Sequence, residues 1–347
     1  MQHSLTPETT YIVLGLGAAL YIAWNLGAND AANPTESAVG CGAVKLRDAV
    51  LLFAVFAAVG AMVQGYMVMK TIGKGVVTDI DPKGALVASI AAGLWITLAT
   101  WKGMPVSTTH STVGAVLGIG LAYNLIGQSQ GQINWNVVLM VVLSWITSPL
   151  AAILLSIALY HLFAKLKTRL DRASRNTNKI FKYILIFNLA FSAYAFGAND
   201  VGNATGVYVS VVSKIYGVPD RTTMFYLALL GSVGIAVGAL TWGYRVIRTV
   251  GFGITRLDYV MGAAAELSNA LVVWLFSTVP KILVGYGMPI STTHASVSSI
   301  IGVGIARSRS IRSLNLRTVA LIVASWILTV PVAALISLTI YYVLHTL

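Results

Sequence analysis

Apolar segments long enough to cross a bilayer recur along the whole chain, at approximately 9–43, 49–69, 84–101, 107–124, 137–163, 183–213, 222–243, 259–279, 289–306 and 318–345, joined by short connections. A hydrocarbon core of about 30 Å takes roughly 20 apolar residues, and inside it each backbone polar group needs an internal partner. The chain therefore reads as an all-α polytopic membrane protein. Only 10% of its 347 residues are charged and its mean hydropathy is +0.80, against about 25% charged in a soluble domain. This excludes a soluble fold and leaves no room for a large soluble domain. The first residues lack a basic stretch, so the first apolar segment reads as a retained helix rather than a cleaved signal peptide. Cys41 is the sole cysteine, which rules out an internal disulfide and removes zinc and iron–sulfur readings.

The net charge of +12 is a matter of loops, and no nucleic-acid partner follows from it. Lys165, Lys167, Arg169, Arg172, Arg175, Lys179 and Lys182 stand against one acid, Asp171, in the middle of the chain. In a polytopic protein such a cluster marks a cytoplasmic connection. The segments divide five and five around it: 1–163 is a first repeat, 164–182 a basic cytoplasmic linker, and 183–347 a second repeat. An odd number of crossings per half makes the second half enter in the opposite sense, an inverted-topology repeat with both termini outside. Sixteen of the 23 basic residues then face the cytoplasm. The Ser/Thr-rich segments within 84–124 and 259–306 satisfy the same parity whether they span or dip in and return.

Three landmarks recur in the same order. Asn25-Leu26-Gly27-Ala28-Asn29-Asp30-Ala31-Ala32-Asn33 answers Ala195-Phe196-Gly197-Ala198-Asn199-Asp200-Val201-Gly202-Asn203. Gly103-Met104-Pro105-Val106-Ser107-Thr108-Thr109-His110 answers Gly287-Met288-Pro289-Ile290-Ser291-Thr292-Thr293-His294, and Ser144-Trp145-Ile146 with Pro149 answers Ser325-Trp326-Ile327 with Pro331.

An ionisable group within lipid is costly and is a functional candidate by default. Four of the eleven acids, Asp30, Glu36, Asp200 and Glu266, fall inside apolar segments. Asp30 and Asp200 share one place in the two halves, each preceded by Gly-Ala-Asn and followed by a further Asn. Glycine and asparagine are poor inside helices, so the clusters are expected to unwind the first helix of each half. Asn29, Asp30, Asn33, Asn199, Asp200 and Asn203 then supply hard oxygens for a sodium ion at each cluster. A glycine-mediated helix contact, with the aspartate as a cap, is the structural alternative.

The triplets Ser107, Thr108, Thr109 and Ser291, Thr292, Thr293 follow Gly-Met-Pro, where a new helix begins. Unpaired N–H groups and the dipole at such a start favour an anion, and the hydroxyls add donors; hydroxyls bonded back to their own helix are the alternative. His110 and His294 read as groups that pack beside these hydroxyls and orient them, or as proton carriers. Glu266 has no acidic counterpart in the other half and is a further coupling candidate; Glu36 reads as a helix cap. Lys102 is matched by Tyr286, so a symmetric basic clamp is missing. A divalent anion must then be balanced by backbone dipoles and co-bound cations.

These motifs resemble those of the inorganic phosphate transporter family, which includes the type III sodium/phosphate cotransporters. Gly27 to Asp30 and Gly197 to Asp200 are similar to its two signatures, and Pro105 to His110 and Pro289 to His294 to its paired Pro-Val/Ile-Ser-Thr-Thr-His motifs. The resemblance implies an inverted-repeat transporter carrying phosphate with sodium, or with protons in some bacterial members. It also implies cation sites at Asn29, Asp30, Asn199 and Asp200 and an anion held by the Ser-Thr-Thr triplets. Two features depart from the pattern: Ala57 stands where eukaryotic relatives have a glutamate, and Pro34 follows the first signature. The expected activity is cation-coupled phosphate import across the plasma membrane by alternating access, with sulfate as the alternative anion and proton as the alternative coupling ion. An anion channel is the competing class, and it leaves the paired acids without a role. No enzymatic activity and no cofactor besides the coupling ions are expected, and a homodimer is left open.

Overall fold

The computed structural model describes residues 7–69, 76–128, 131–216, 220–285 and 289–346, which are overwhelmingly helical, with a single antiparallel bridge between Val77 and Ile133. In the first half the helices are α1 (Pro7–Asp30), α2 (Ala32–Gly40), α3 (Leu46–Gln64), α4 (Pro82–Trp101), α5 (Thr108–Leu125) and α6 (Trp135–Arg172). The second half holds α7 (Thr177–Tyr216), α8 (Arg221–Thr241), α9 (Tyr244–Gly253), α10 (Tyr259–Val284), α11 (Thr292–Ser308) and α12 (Leu316–Thr346). Seven of these are long and apolar enough to cross a membrane. Their outward faces carry large apolar side chains such as Leu154, Phe187 and Ile327, as lipid-facing helices must.

Helices of one half pack against helices of the other. α1 packs on α8 and α3 on α7, while α5 packs on α12 and α11 on α6. The first two contacts are backbone to backbone. A Cβ on Gly27 would stand 1.8 Å from the Ile235 carbonyl oxygen and one on Gly238 1.8 Å from that of Trp24; for Gly197 and Ala57, and for Gly60 and Tyr194, the figure is 1.9 Å. Small residues at these crossings let helices approach where lipid offers no hydrophobic drive between them.

This close packing overturns the expected unwinding of both first helices. α7 is continuous through Asn199, Asp200 and Asn203. The first half has only a one-residue turn at Ala31, whose backbone stays in the right-handed helical region at φ −56°, ψ −20°. Helix propensity loses here because the glycines are needed for contact and the asparagine amides bond to other elements instead of their own backbone. The linker is also no loop. α6 runs on to Arg172 and α7 starts at Thr177, so most of the basic stretch 164–182 is helix around a short corner. Its Lys, Arg and Leu residues are good helix formers, and Arg169 and Arg172 complement the end of α6.

The segments left open between spanning and re-entrant form two hairpins of opposite direction. α4 starts at Asp81, whose carboxylate accepts from Gly84 N–H and Tyr123 O–H, so the start of α4 meets the end of α5. α10 starts at Asp258, which caps Val260 and Met261 and lies 3.6 Å from Arg307 near the end of α11. The first hairpin turns at 102–107. In the second, α10 ends at Gly285 and Ser291 caps α11; residues 286–288, including Tyr286, lie outside the described residues. The base of this second hairpin, the α6–α7 corner, α9 and the connection 309–315 share one end of the bundle: Arg307 reaches Tyr160, and Asn315 N–H donates to the Ile254 carbonyl. The end of α12 lies at the opposite end, where Tyr341 donates to Asp81.

Candidate functional site

The two hairpin turns meet at the centre of the molecule. Gly103, at φ +68°, reverses the chain, and Ser107 caps α5 by accepting from His110 N–H at 3.2 Å. Ser291 caps α11 in the same way at 3.1 Å from His294 N. Pro105 precedes its cap by two residues instead of occupying the first helical turn. Thr109 donates to the Ile290 carbonyl at 3.0 Å and Thr293 to the Val106 carbonyl at 3.2 Å. Each hairpin thus spends its third hydroxyl on the other hairpin's turn.

The asparagines have two separate tasks. Asn29 donates to Thr100 at 2.8 Å and to the Met104 carbonyl at 3.0 Å, and its oxygen accepts from Val106 N–H at 3.1 Å. Asn199 donates to the Ile290 carbonyl at 3.0 Å and accepts from Ser277 at 2.9 Å. These two hold the turn of their own half. Asn33 instead crosses to Thr292 and Thr293 at 3.0 and 3.2 Å, and Asn203 to Thr108 and Thr109 at 3.5 and 3.0 Å.

Asp30 and Asp200 sit inside this lattice with no exposed surface. Thr108 donates to Asp30 Oδ2 at 2.6 Å, and Asn203 to Asp200 Oδ1 at 2.9 Å. The two carboxyls are close enough to interact electrostatically, and Thr293 and Thr292 stand beside them. Asp30 Oδ1 and Asn203 Oδ1 have no hydrogen-bond partner, and no lysine or arginine pairs with either aspartate among the described residues. An uncompensated buried carboxylate costs several kcal/mol. Orphaned oxygens of carboxylate and amide type are the donor set a hard monovalent cation takes.

The histidines form the floor. Their rings meet edge to face at 4.4 Å, His110 lies 3.7 Å from the Trp145 ring and His294 3.8 Å from the Trp326 ring. Pro149 has no N–H, which frees the Trp145 carbonyl, and His294 Nδ1 lies 3.4 Å from it. Both nitrogens of His110 and Nε2 of His294 are buried without a hydrogen-bond partner.

One helical turn along α2 lies a second polar cluster. Glu36 is fully buried in mid-helix and accepts from Ser296 on α11, so it is no cap; the residue before α2 is Ala31, which has no capping side chain. A polar residue between two helix starts is an easy cap to read from sequence, whereas its cross-chain partner is 260 residues away. Glu266, 1% exposed, faces Glu36, with Ser37, Ser192 and Asn269 around it.

With this geometry established, the likeness to known proteins is specific. The model of the phosphate transporter family matches residues 26–337, which include both signatures and both hairpins. The chain belongs to that family. A Pyrococcus horikoshii protein named "putative phosphate permease" is 31% identical over 98% of this chain and 99% of its own length. A protein of the same name from Haemophilus influenzae is 30% identical over 94% and 95%. A solved structure described as the sodium-dependent phosphate transporter superposes with a TM-score of 0.83 at 30% identity, covering 97% of this chain and all of that one.

Within this phosphate transporter family member, all twelve anion- and cation-site candidates meet in one buried centre, with His110 and His294 against it and Glu266 in the neighbouring cluster. Sequence reasoning missed Thr100 and Ser277, the hydroxyls that seat Asn29 and Asn199. Nothing in their local sequence separates them from other helix hydroxyls. It also missed the pairing of Glu36 with Glu266, which depends on α2 and α10 coming together.

Proposed function

We propose that this protein imports inorganic phosphate by cation-coupled alternating access, with sodium as the coupling ion. The observation that carries the reading is the exchange at the centre, where the asparagine of each half holds the threonines of the other around two charge-uncompensated aspartates. Halves 1–163 and 183–347 act as inverted repeats about this point, joined at the basic corner, which faces the cytoplasm and leaves both termini outside. The hydroxyls of Thr108 and Thr292 and the helix starts behind them cradle the oxyanion. Sodium takes the oxygens of Asp30, Asp200 and Asn203 and offsets the aspartate charge, in a site where none of the described residues is basic. Until it is bound, the buried carboxylates repel an oxyanion, and this makes anion binding depend on the cation. Glu266, with Glu36, is a further coupling group. The phosphate permease relatives and the sodium-dependent neighbour support the choice of phosphate and of sodium.

The test is uptake of labelled phosphate and labelled sulfate by protein in liposomes, each under a sodium or a proton gradient. Concentrative phosphate uptake driven by sodium is expected. Sulfate preference, proton drive without sodium, or purely downhill flux would each replace the corresponding part of the reading.

A further inference from the structure

Among the described residues no lysine or arginine reaches the central site, which leaves it little with which to draw an anion from a distance. A cavity of about 210 Å³ lies beside the first hairpin turn. It is lined by Lys102, Met104 and Pro105 of the hairpin, Thr249 of α9, and Thr318 and Ser325 of α12. Lys102 is exposed at its rim, and Ser325 is 2% exposed at its inner wall. Ser325 Oγ lies 3.4 Å from the Pro105 carbonyl oxygen. The next residue, Val106, gives its N–H to Asn29, and the one after is the cap Ser107. The cavity therefore ends two residues from the first hydroxyl of the anion cradle.

Its lining is largely apolar, with Leu321 and Ile322, and its polar side chains are Lys102 and three hydroxyl residues with no carboxylate; Thr249 and Ser325 donate to carbonyls of their own helices, so Lys102 is the charge that favours an anion over a metal cation. Its mouth belongs to the end that carries the basic connections, since Thr249 lies between Arg245 and Arg256 and Thr318 follows Arg317. A lysine at a rim is a flexible, hydrated point charge; it raises the local concentration of an anion without holding it in a fixed fork. The same lysine at the centre would oppose release.

We propose that this cavity is an outer oxyanion subsite, through which phosphate passes between the central site and the basic end of the bundle, with Lys102 as its charge. The inference rests on the phosphate-transport reading. A lipid headgroup phosphate has the same chemistry, and the experiment separates the two sources.

Full-length protein carrying Cys41→Ser and Thr318→Cys is placed in nanodiscs of neutral lipid, and in a parallel set containing anionic lipid. Labelling is followed with negatively and positively charged methanethiosulfonates, with and without inorganic phosphate. Thr249→Cys serves as a second reporter should the first fold poorly. The expected result is faster labelling by the anionic reagent, slowed about 3-fold or more by phosphate in neutral lipid, with the charge preference reversed by Lys102→Glu. For phosphate presented at the basic face of the protein in liposomes, Lys102→Glu is expected to raise KM by about 3-fold or more, with a smaller change in maximal flux. Slowing by anionic lipid but not by phosphate assigns the cavity to a headgroup and overturns the proposal. Labelling insensitive to phosphate in protein that takes phosphate up overturns it as well. Loss of the parent reading shows separately, as wild-type protein that fails to take up phosphate at all.

Discussion

The centre of this molecule and the cluster one helical turn away are built from the same helices, yet they obey different rules. At the centre the contacts between the two hairpins and the signature asparagines are matched across the halves: Asn33 on Thr292 and Thr293 answers Asn203 on Thr108 and Thr109, and Thr109 on Ile290 answers Thr293 on Val106. In the neighbouring cluster nothing is repeated. The register that pairs Asn33 with Asn203 sets Glu36 opposite Gly206, and the register that pairs Thr108 with Thr292 sets Ser296 opposite Thr112. The two regions thus differ in symmetry: contacts between the halves are matched at the centre, while the acids Glu36 and Glu266 have no acidic counterpart in the other half. A site that must face two compartments in turn gains from symmetry. A group that biases one of the two states has to be asymmetric.

The comparison can be broken in several ways, the largest effect coming from the scaffold that both regions share. Gly27→Ala and Gly197→Ala each drive a Cβ into a carbonyl oxygen, and each is expected to cost about 3 kcal/mol or more, read as a fall in Tm of purified protein. A fall for only one of them would mean that the two crossings are not equivalent. Asp30→Asn and Asp200→Asn should each lower sodium-driven phosphate uptake on the order of 100-fold while thermal stability is kept, because each removes one buried charge of the pair. Wild-type uptake by both variants would remove the aspartates from the cation site.

Smaller effects test the asymmetry. Ser296→Ala takes the hydroxyl from Glu36 and is expected to slow uptake about 5-fold, whereas Thr112→Val, at the matching place in the other half, should change it little. Equal losses would show that the second cluster is symmetric after all. Asn33→Ala and Asn203→Ala each remove the amide that holds two threonine hydroxyls. Phosphate KM should rise about 5-fold in both, and a clear inequality would locate the anion nearer one hairpin.

Four features were legible along the chain alone: the bilayer as its solvent, the repeated landmarks, the clustering of its basic residues and the residue types at the centre. Each follows from a local or repeated pattern: apolar length, matched landmarks, clustered lysine and arginine, and acids within lipid. Tertiary structure alone decided that the signature helices stay wound, since Gly27 and Gly197 serve contacts with residues far along the chain, and a glycine in a sequence does not say whether it breaks a helix or lets another approach. It decided the division of labour among the asparagines, where Asn29 and Asn199 seat a turn and Asn33 and Asn203 cross to the other half. It also turned Glu36 from an apparent cap into the partner of Ser296. Pairings between distant helices have no local signature, because they depend on the crossing that brings two faces together.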